Sequence, residues 1–148
     1  LAAGVIRNTV WDVLHGYTKR TPLNDIDIVY FDAQKKVQDS AVEKKLHKLY
    51  PAYNFEVVNQ ATIHETYTLK PAVNSTCEGI STFVETPTCV GIRLEDDDSL
   101  TICAPYGLKD LFTFQVQKNP LPFVSSELYT KRVTEKNWKK LWPKLEIQ

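Results

Sequence analysis

The sequence predicts a fold of the α+β or mixed α/β class. Three observations support this: apolar residues recur at helical spacing in residues 7–15, a β-branched segment fills residues 25–31, and residues 89–104 have the pattern of a hairpin. The 148 residues, 43% of them hydrophobic, suit one domain, which we place over residues 1–148. We also expect an N-terminal segment to be missing, because the chain starts with apolar residues and without an initiator Met.

The first part of the chain is predicted to hold a helix between two strands. Residues 1–3 are expected to end a strand, and Gly4 forms the turn into the helix over residues 7–15. Gly16 is placed to end that helix. Residues 25–31 are rich in β-branched and aromatic side chains, so a strand is expected there.

Two capping boxes predict the starts of two further helices. Ser40 and Glu43 precede an apolar stripe, and Ser75 and Glu78 precede a short helix. Between them, residues 55–58 form an apolar run with one acid, which predicts a second strand.

The second half of the chain is predicted to begin with a hairpin. Its strands are expected at residues 89–94 and 100–104, around an acidic turn that is read as solvated. A short helix over residues 107–112, a short strand over 113–116 and a final helix over 126–141 are expected to follow.

Charge and cysteine content restrict the class of protein. The formal net charge is zero, which gives no general attraction to nucleic acid. The cysteines Cys77, Cys89 and Cys103 are odd in number and contain no C-x-x-C, so we expect free and mostly buried thiols in a reducing cytosol. No apolar run approaches the roughly 20 residues that span a bilayer. We therefore expect a cytoplasmic protein without a membrane partner.

The segment that carries chemistry contains Asp25 and Asp27. Residues two apart on a strand point to the same face, so these carboxylates would lie about 6–7 Å apart along the backbone. Two adjacent carboxylates repel each other, and a hard divalent cation such as Mg²⁺ or Mn²⁺ removes that conflict. Glu56, a lone acid in the next strand, is the candidate third ligand. The alternative is that the two aspartates are solvated at an exposed strand start.

The turn before the first helix is a candidate phosphate site. A helix N-terminus presents N–H groups and a positive dipole end, and Gly4 allows the backbone to come close to a ligand. Arg7 and Asn8 follow within reach of phosphate or sugar oxygens. An ordinary strand-to-helix turn with a solvated arginine is the competing interpretation.

Three residues after the second strand are candidates for contact with an acceptor. They could bind the acceptor or position it, although a surface role remains open for each: Asn59, Gln60 and His64. The C-terminal helix is basic, which indicates either a solvated face or contact with an anionic acceptor, through Lys131, Arg132, Lys136, Lys139, Lys140 and Lys144. Trp138 and Trp142 are expected in the core.

Together these segments resemble a bacterial nucleotidyltransferase-like family within the DNA polymerase β-type nucleotidyltransferase superfamily. The resemblance rests on AGVIRNTVWD at 3–12, PLNDID at 22–27, EVVNQA at 56–61, ETPT at 85–88, APYGLKDL at 104–111 and WKKLWP at 138–143. It implies a mixed β-sheet with helices packed on it, and an acidic triad that binds Mg²⁺ and a nucleoside triphosphate.

The resemblance implies transfer of a nucleoside monophosphate from an NTP to an acceptor hydroxyl. The acceptor, whether a small molecule, a protein or RNA, stays open. The superfamily usually has Gly, Ser or Thr after the glycine of its turn, whereas Val5 follows Gly4 here. That difference favours a second hypothesis, a nucleotide-binding or regulatory module with little catalysis. A glycosyltransferase D-x-D is a third, disfavoured because the apolar strand follows the acids.

Overall fold

The structure is a computed structural model, and it describes residues 1–66 and 71–148. Helices and strands alternate through most of the described chain. The helices are α1 (Gly4–Leu14), α2 (Asp39–Leu49), α3 (Ile63–Thr66), α4 (Thr76–Ile80), α5 (Lys109–Phe112), α6 (Ser126–Lys136) and α7 (Trp138–Leu141). The strands are β1 (Ile26–Tyr30), β2 (Phe55–Asn59), β3 (Gly91–Leu94), β4 (Leu100–Cys103), β5 (Gln115–Val116) and β6 (Glu146–Ile147). This mixture confirms the predicted α+β class.

The strands form parallel and antiparallel pairs. β1 and β2 are parallel, with α2 as the connection, and β3 and β4 form the predicted antiparallel hairpin. The residue Ala2 forms isolated bridges to both Asp27 and Gly91, so the segment before α1 lies between the two pairs. The β5–β6 pair is parallel, and sequence reasoning missed β6 because two residues carry no periodicity.

Helix α1 begins at Gly4, three residues before the predicted start at Arg7. The carbonyl of Ala3 accepts hydrogen bonds from the N–H groups of Ile6 and Arg7, at 3.2 and 3.0 Å. Ala3 itself has φ of 53° and caps no N–H with its side chain. The start was predicted too late because no Ser, Thr, Asp or Asn marks it in the sequence.

The first predicted capping box is wrong and the second is confirmed. Ser40 lies inside α2, whose N-cap is Gln38, and Glu43 instead accepts the N–H of Val57 at 3.0 Å. In the second box, Ser75 Oγ accepts the N–H of Glu78 at 3.1 Å. The difference is tertiary, because β2 lies close enough to α2 to use the Glu43 carboxylate.

The predicted single helix over residues 126–141 is divided in two. Asn137 adopts the left-handed conformation with φ of 46°, so α6 ends before it and α7 begins after it. Asparagine tolerates this conformation better than most residues. The break turns the tryptophan-bearing α7 against α1.

The core on this side is built from three tryptophans, as predicted for two of them. Trp11 and Trp142 are fully buried and Trp138 is 3% exposed. Both Trp138 and Trp142 meet the Trp11 ring edge-on, at centroid distances of 5.9 and 5.2 Å. The indole N–H of Trp142 donates to Asp12 at 2.7 Å, so the buried polar atom is satisfied.

The cysteines differ from the expectation of three free thiols. Cys77 and Cys103 form a disulfide between α4 and β4, with their Cα atoms 5.7 Å apart. Cys89 is buried, with Sγ 3.3 Å from the carbonyl oxygen of Glu85. Spacing along the chain could not reveal this pair, because only the fold brings α4 against the end of the hairpin. Within residues 1–66 and 71–148, no helix is both long and apolar enough to cross a bilayer.

Candidate functional site

A cleft of about 670 Å³ lies between the β1–β2 sheet and helix α6. Its sheet side carries alternate residues of each strand, as the period of two requires. From β1 and the position before it come Asp25, Asp27 and Val29, and from β2 come Glu56 and Val58. All three predicted carboxylates therefore line one cleft.

The parallel register explains why the three acids line the same cleft. Asp27 pairs with Glu56, so the two side chains stand on neighbouring strands and face the same side of the sheet. Asp25 lies one step before β1 and two residues before Asp27, which gives it the same parity. Val57 points to the opposite face and is buried. We call Asp25, Asp27 and Glu56 the acidic wall.

The acidic wall is electrostatically unfavourable when no cation is bound to it. Burial, and after it the negative charges of Asp25 and Glu56, raise the pKa of Asp27 to about 6. The N–H of Gly4 and the charge of Arg7 oppose this increase. Across the described residues, no three carboxylate, imidazole or thiol side chains are grouped closely enough to surround one metal ion as they stand.

The N-terminus of α1 faces the acidic wall, but its N–H groups are largely occupied. Gly4 lines the cleft, and its N–H donates to the Asp27 carboxylate. The N–H groups of Ile6 and Arg7 are bonded to the Ala3 carbonyl. The N–H groups of Gly4, Ile6 and Arg7 are thus already bonded within the protein. Binding a phosphate at this helix end would require them to be unbonded.

Arg7 lines the same cleft as a buried, fixed cation. It is 5% exposed, its Nη1 donates to Thr88 at 2.7 Å, and its Cζ lies 4.3 Å from the centroid of the Trp138 ring. Burial lowers its pKa to about 10, against the opposing charge of Glu85. Asn8 accepts from Arg7 Nη2 at 2.9 Å and does not line the cleft. Asn8 therefore supports the arginine.

The acceptor candidates after β2 are placed differently from one another. Gln60 lines the cleft, is 1% exposed, and its Oε1 is buried without a hydrogen-bond partner in the described part of the chain. Asn59 accepts the N–H of Asp32 and donates to its carbonyl, so it holds the loop after β1 and does not face the cleft. His64 also lies outside the cleft lining. Of the three, the structure brings only Gln60 to the acids.

The opposite side of the cleft is formed by α6. Lys131, Arg132 and Lys136 line it, and we call these three the basic wall. Nε of Arg132 donates to Glu85 Oε1, and Glu85 is fully buried. Sequence reasoning read these residues as part of a general basic helix. Spacing alone would also have placed Lys139 on this face, three residues after Lys136; the break of the helix at Asn137 is what separates Lys139 and Lys140 from the cleft.

Comparison with known proteins gives two matches. The sequence profile of a family described as "Nucleotidyltransferase" matches residues 1–147. A solved structure described as "The NMR structure of the protein reveals a CCA-adding enzyme head domain" is 32% identical. The match covers 100% of this chain and 80% of that one, with a TM-score of 0.85. No curated protein sequence matches.

Proposed function

This chain belongs to a nucleotidyltransferase family, and on that premise we propose that it moves a nucleoside monophosphate from an NTP to an acceptor hydroxyl. The acceptor oxygen would form a bond to the α-phosphorus, while the bond to the bridging oxygen breaks and pyrophosphate leaves. The observation that carries the proposal is the acidic wall: three carboxylates on two paired strands line one cleft.

The donor set of the acidic wall suits Mg²⁺ or Mn²⁺. Asp25, Asp27 and Glu56 offer only carboxylate oxygens. The pKa of Asp27 is raised by burial and by the charges of the other two acids, and a bound divalent cation would offset both effects. Such a cation, when bound, neutralises phosphate charge and favours the deprotonated acceptor hydroxyl. Because the three side chains are not grouped as they stand, binding would require them to turn toward one another.

The remaining cleft residues have roles that follow from their contacts. Glu56 is the acid of the wall for which we propose uptake of the acceptor proton. Arg7, which its contacts to Thr88 and Trp138 hold in place, contributes a fixed positive charge beside the nucleotide. Gln60, with an unbonded Oε1, is the candidate for contact with the base or the acceptor. Gly4 and Asn8 act through Asp27 and Arg7, to which they are bonded.

A nucleotide-binding or regulatory module with little catalysis is the second hypothesis. Two observations favour it. The N–H groups of Gly4, Ile6 and Arg7 are occupied by Asp27 and Ala3, and the three acids are not grouped around a single point. A protein of this kind would bind an NTP without releasing pyrophosphate.

The two hypotheses are separated by measuring nucleotide binding and pyrophosphate release in parallel. CTP and ATP are the first donors to test, because the solved relative is described as CCA-adding. The reaction would contain Mg²⁺ and α-labelled NTP, with acceptors of three classes: RNA with a free 3′ hydroxyl, polypeptide, and small polyols. Label transfer with pyrophosphate release supports the enzyme. Binding without release supports the module, and absence of both overturns the two hypotheses together.

A further inference from the structure

Helix α6 contributes one continuous face to the cleft. The residues on it are Leu128, Lys131, Arg132, Glu135 and Lys136. They recur at intervals of three and four, so they share one side of the helix, and the two buried residues Tyr129 and Val133 lie on the adjacent stripe that packs on the core. The cations of the basic wall are thus directed to the cleft by the packing of α6 onto the core.

Arg132 is the best-fixed member of the basic wall. Its side chain is 35% exposed, and Nε is bonded to Glu85, which is fully buried. Within the described chain, no hydrogen bond involves its two terminal nitrogens, so they remain available to a ligand. An arginine held through Nε retains a pair of donors suited to phosphate oxygens.

The two lysines are weakly compensated. Lys131 lies 3.9 Å from Glu135, in a pair whose side chains are 73% and 64% exposed, which contributes little. Lys136 is exposed at the last position of α6 and is in no ion pair with a described residue. Both are therefore free to turn toward an anion in the cleft.

The opposite side cannot bind a polyphosphate chain in the same way. The acidic wall is negatively charged, and the N–H groups of Gly4, Ile6 and Arg7 already have acceptors. Arg7 is buried, with both terminal nitrogens bonded to Thr88 and Asn8. Among the described residues, the cationic donors that remain in the cleft are those of α6 and the buried Nε of Arg7, which has no hydrogen-bond partner.

We propose that Lys131, Arg132 and Lys136 bind the β- and γ-phosphates of the nucleotide, and that Glu85 positions Arg132 for this contact. The inference rests on the proposed function, since it assigns the parts of the bound NTP to the two sides of the cleft. The triphosphate lies with its α-phosphate toward the acidic wall and its pyrophosphate end toward α6.

The test is direct binding without turnover. Titration calorimetry would measure the dissociation constants of pyrophosphate and of an α,β-methylene ATP analogue, with Mg²⁺ and with EDTA. The variants are Lys131→Ala/Lys136→Ala and, separately, Arg132→Gln. The matched control is Lys139→Ala/Lys140→Ala, which removes the same charge from exposed positions of α7 outside the cleft. Circular dichroism and melting temperature establish folding for each.

The double lysine variant and Arg132→Gln are each expected to weaken binding about 10- to 100-fold, because each removes charge-assisted contacts. The control is expected to stay within about twofold, since it changes only screened long-range charge. Equal binding by the wild type, the cleft variants and the control overturns the inference and leaves nucleotidyl transfer standing. Absence of nucleotide binding in the wild type overturns the proposed function, and the inference with it. If Arg132→Gln fails to fold, the double lysine variant decides.

Discussion

The acidic and basic walls face each other across one cleft, yet they arise in different ways. The acids lie on adjacent parallel strands, where the alternation of side chains and the register of Asp27 against Glu56 determine what faces the cleft. The cations come from α6, near the other end of the chain, and reach the cleft because Tyr129 and Val133 anchor that helix in the core. A local pattern creates the first wall, and tertiary packing creates the second.

The two walls also differ in how their charge is compensated. On the acidic wall, burial and the neighbouring charges of Asp25 and Glu56 together raise the pKa of Asp27 to about 6. On the basic wall, Arg132 has a buried counter-ion in Glu85. The acidic wall is therefore expected to control reactivity at a cost in stability, while the Glu85–Arg132 pair is expected to control stability and position.

Asp27→Asn is expected to have the largest effect. We expect nucleotidyl transfer to fall by about 10³-fold or more, because the variant removes one of the carboxylates that we propose as cation ligands beside the phosphates. Asp25→Asn should change activity in the same direction. The measurement is the single-turnover rate of label transfer from an α-labelled NTP, with folding verified by circular dichroism.

The comparison variant is Glu135→Gln. The Glu135 carboxylate lines the same cleft, but on the α6 side. It should lose less than about tenfold, since it lies on the other wall and its side chain is 64% exposed. Equal losses in Asp27→Asn and Glu135→Gln would show that the cleft responds to total charge and has no specific acidic site.

Glu85→Gln is expected to have the next largest effect, on stability. The variant keeps the shape of the side chain but leaves Arg132, and the neighbouring buried Arg7, without their negative partner. Because Arg132 is 35% exposed, solvent relieves part of the penalty, and we expect a loss of about 2–3 kcal/mol, less than for a pair buried on both sides. Urea unfolding followed by tryptophan fluorescence would measure the change in the free energy of unfolding. Glu135→Gln, which breaks the exposed pair with Lys131, should give no measurable change.

The smallest expected effect is a pH-dependent gain in stability of the metal-free protein. Asp27 has a pKa of about 6 when folded, above its ordinary value of 3.8, so its charged form disfavours the folded state above pH 6. This cost disappears as the pH falls through 6 toward 4. In EDTA, Asp27→Asn should therefore be more stable than the wild type by about 1–2 kcal/mol at pH 7.5, after allowance for solvent screening.

At pH 4.5 the stability difference between Asp27→Asn and the wild type should be much smaller. Melting temperatures across this pH range would measure it, with Asp96→Asn in the exposed hairpin turn as the control. A difference that stays constant with pH would show that Asp27 does not carry the repulsion. Addition of Mg²⁺ should stabilise the wild type and not the variant, by mass action at the acidic wall.

The sequence by itself determined the fold class, the hairpin and the composition of the acidic wall. These depend on short-range rules. Side chains two apart on a strand share a face, so Asp25 and Asp27 had to point together, and Glu56 could be separated from Val57 by parity alone. The Ser75 capping box was equally readable, because the hydroxyl of Ser75 reaches an N–H three residues ahead.

Only the tertiary structure decided the bonding partners of the other polar groups and cysteines, and the orientation of α6. In an isolated helix, Asp39 and Glu43 would interact with the N-terminal end of α2. In the folded protein, Asp39 instead accepts from the hydroxyl of Tyr30 on β1, and Glu43 accepts from the N–H of Val57 on β2. The N–H of Gly4 at the start of α1 is bonded to Asp27 from a later strand, the Cys77–Cys103 bond joins two elements, and α6 faces the acids because Tyr129 and Val133 pack into the core. In each case a polar group bonds to the partner that packing brings nearest, and that partner lies outside any local window of the sequence.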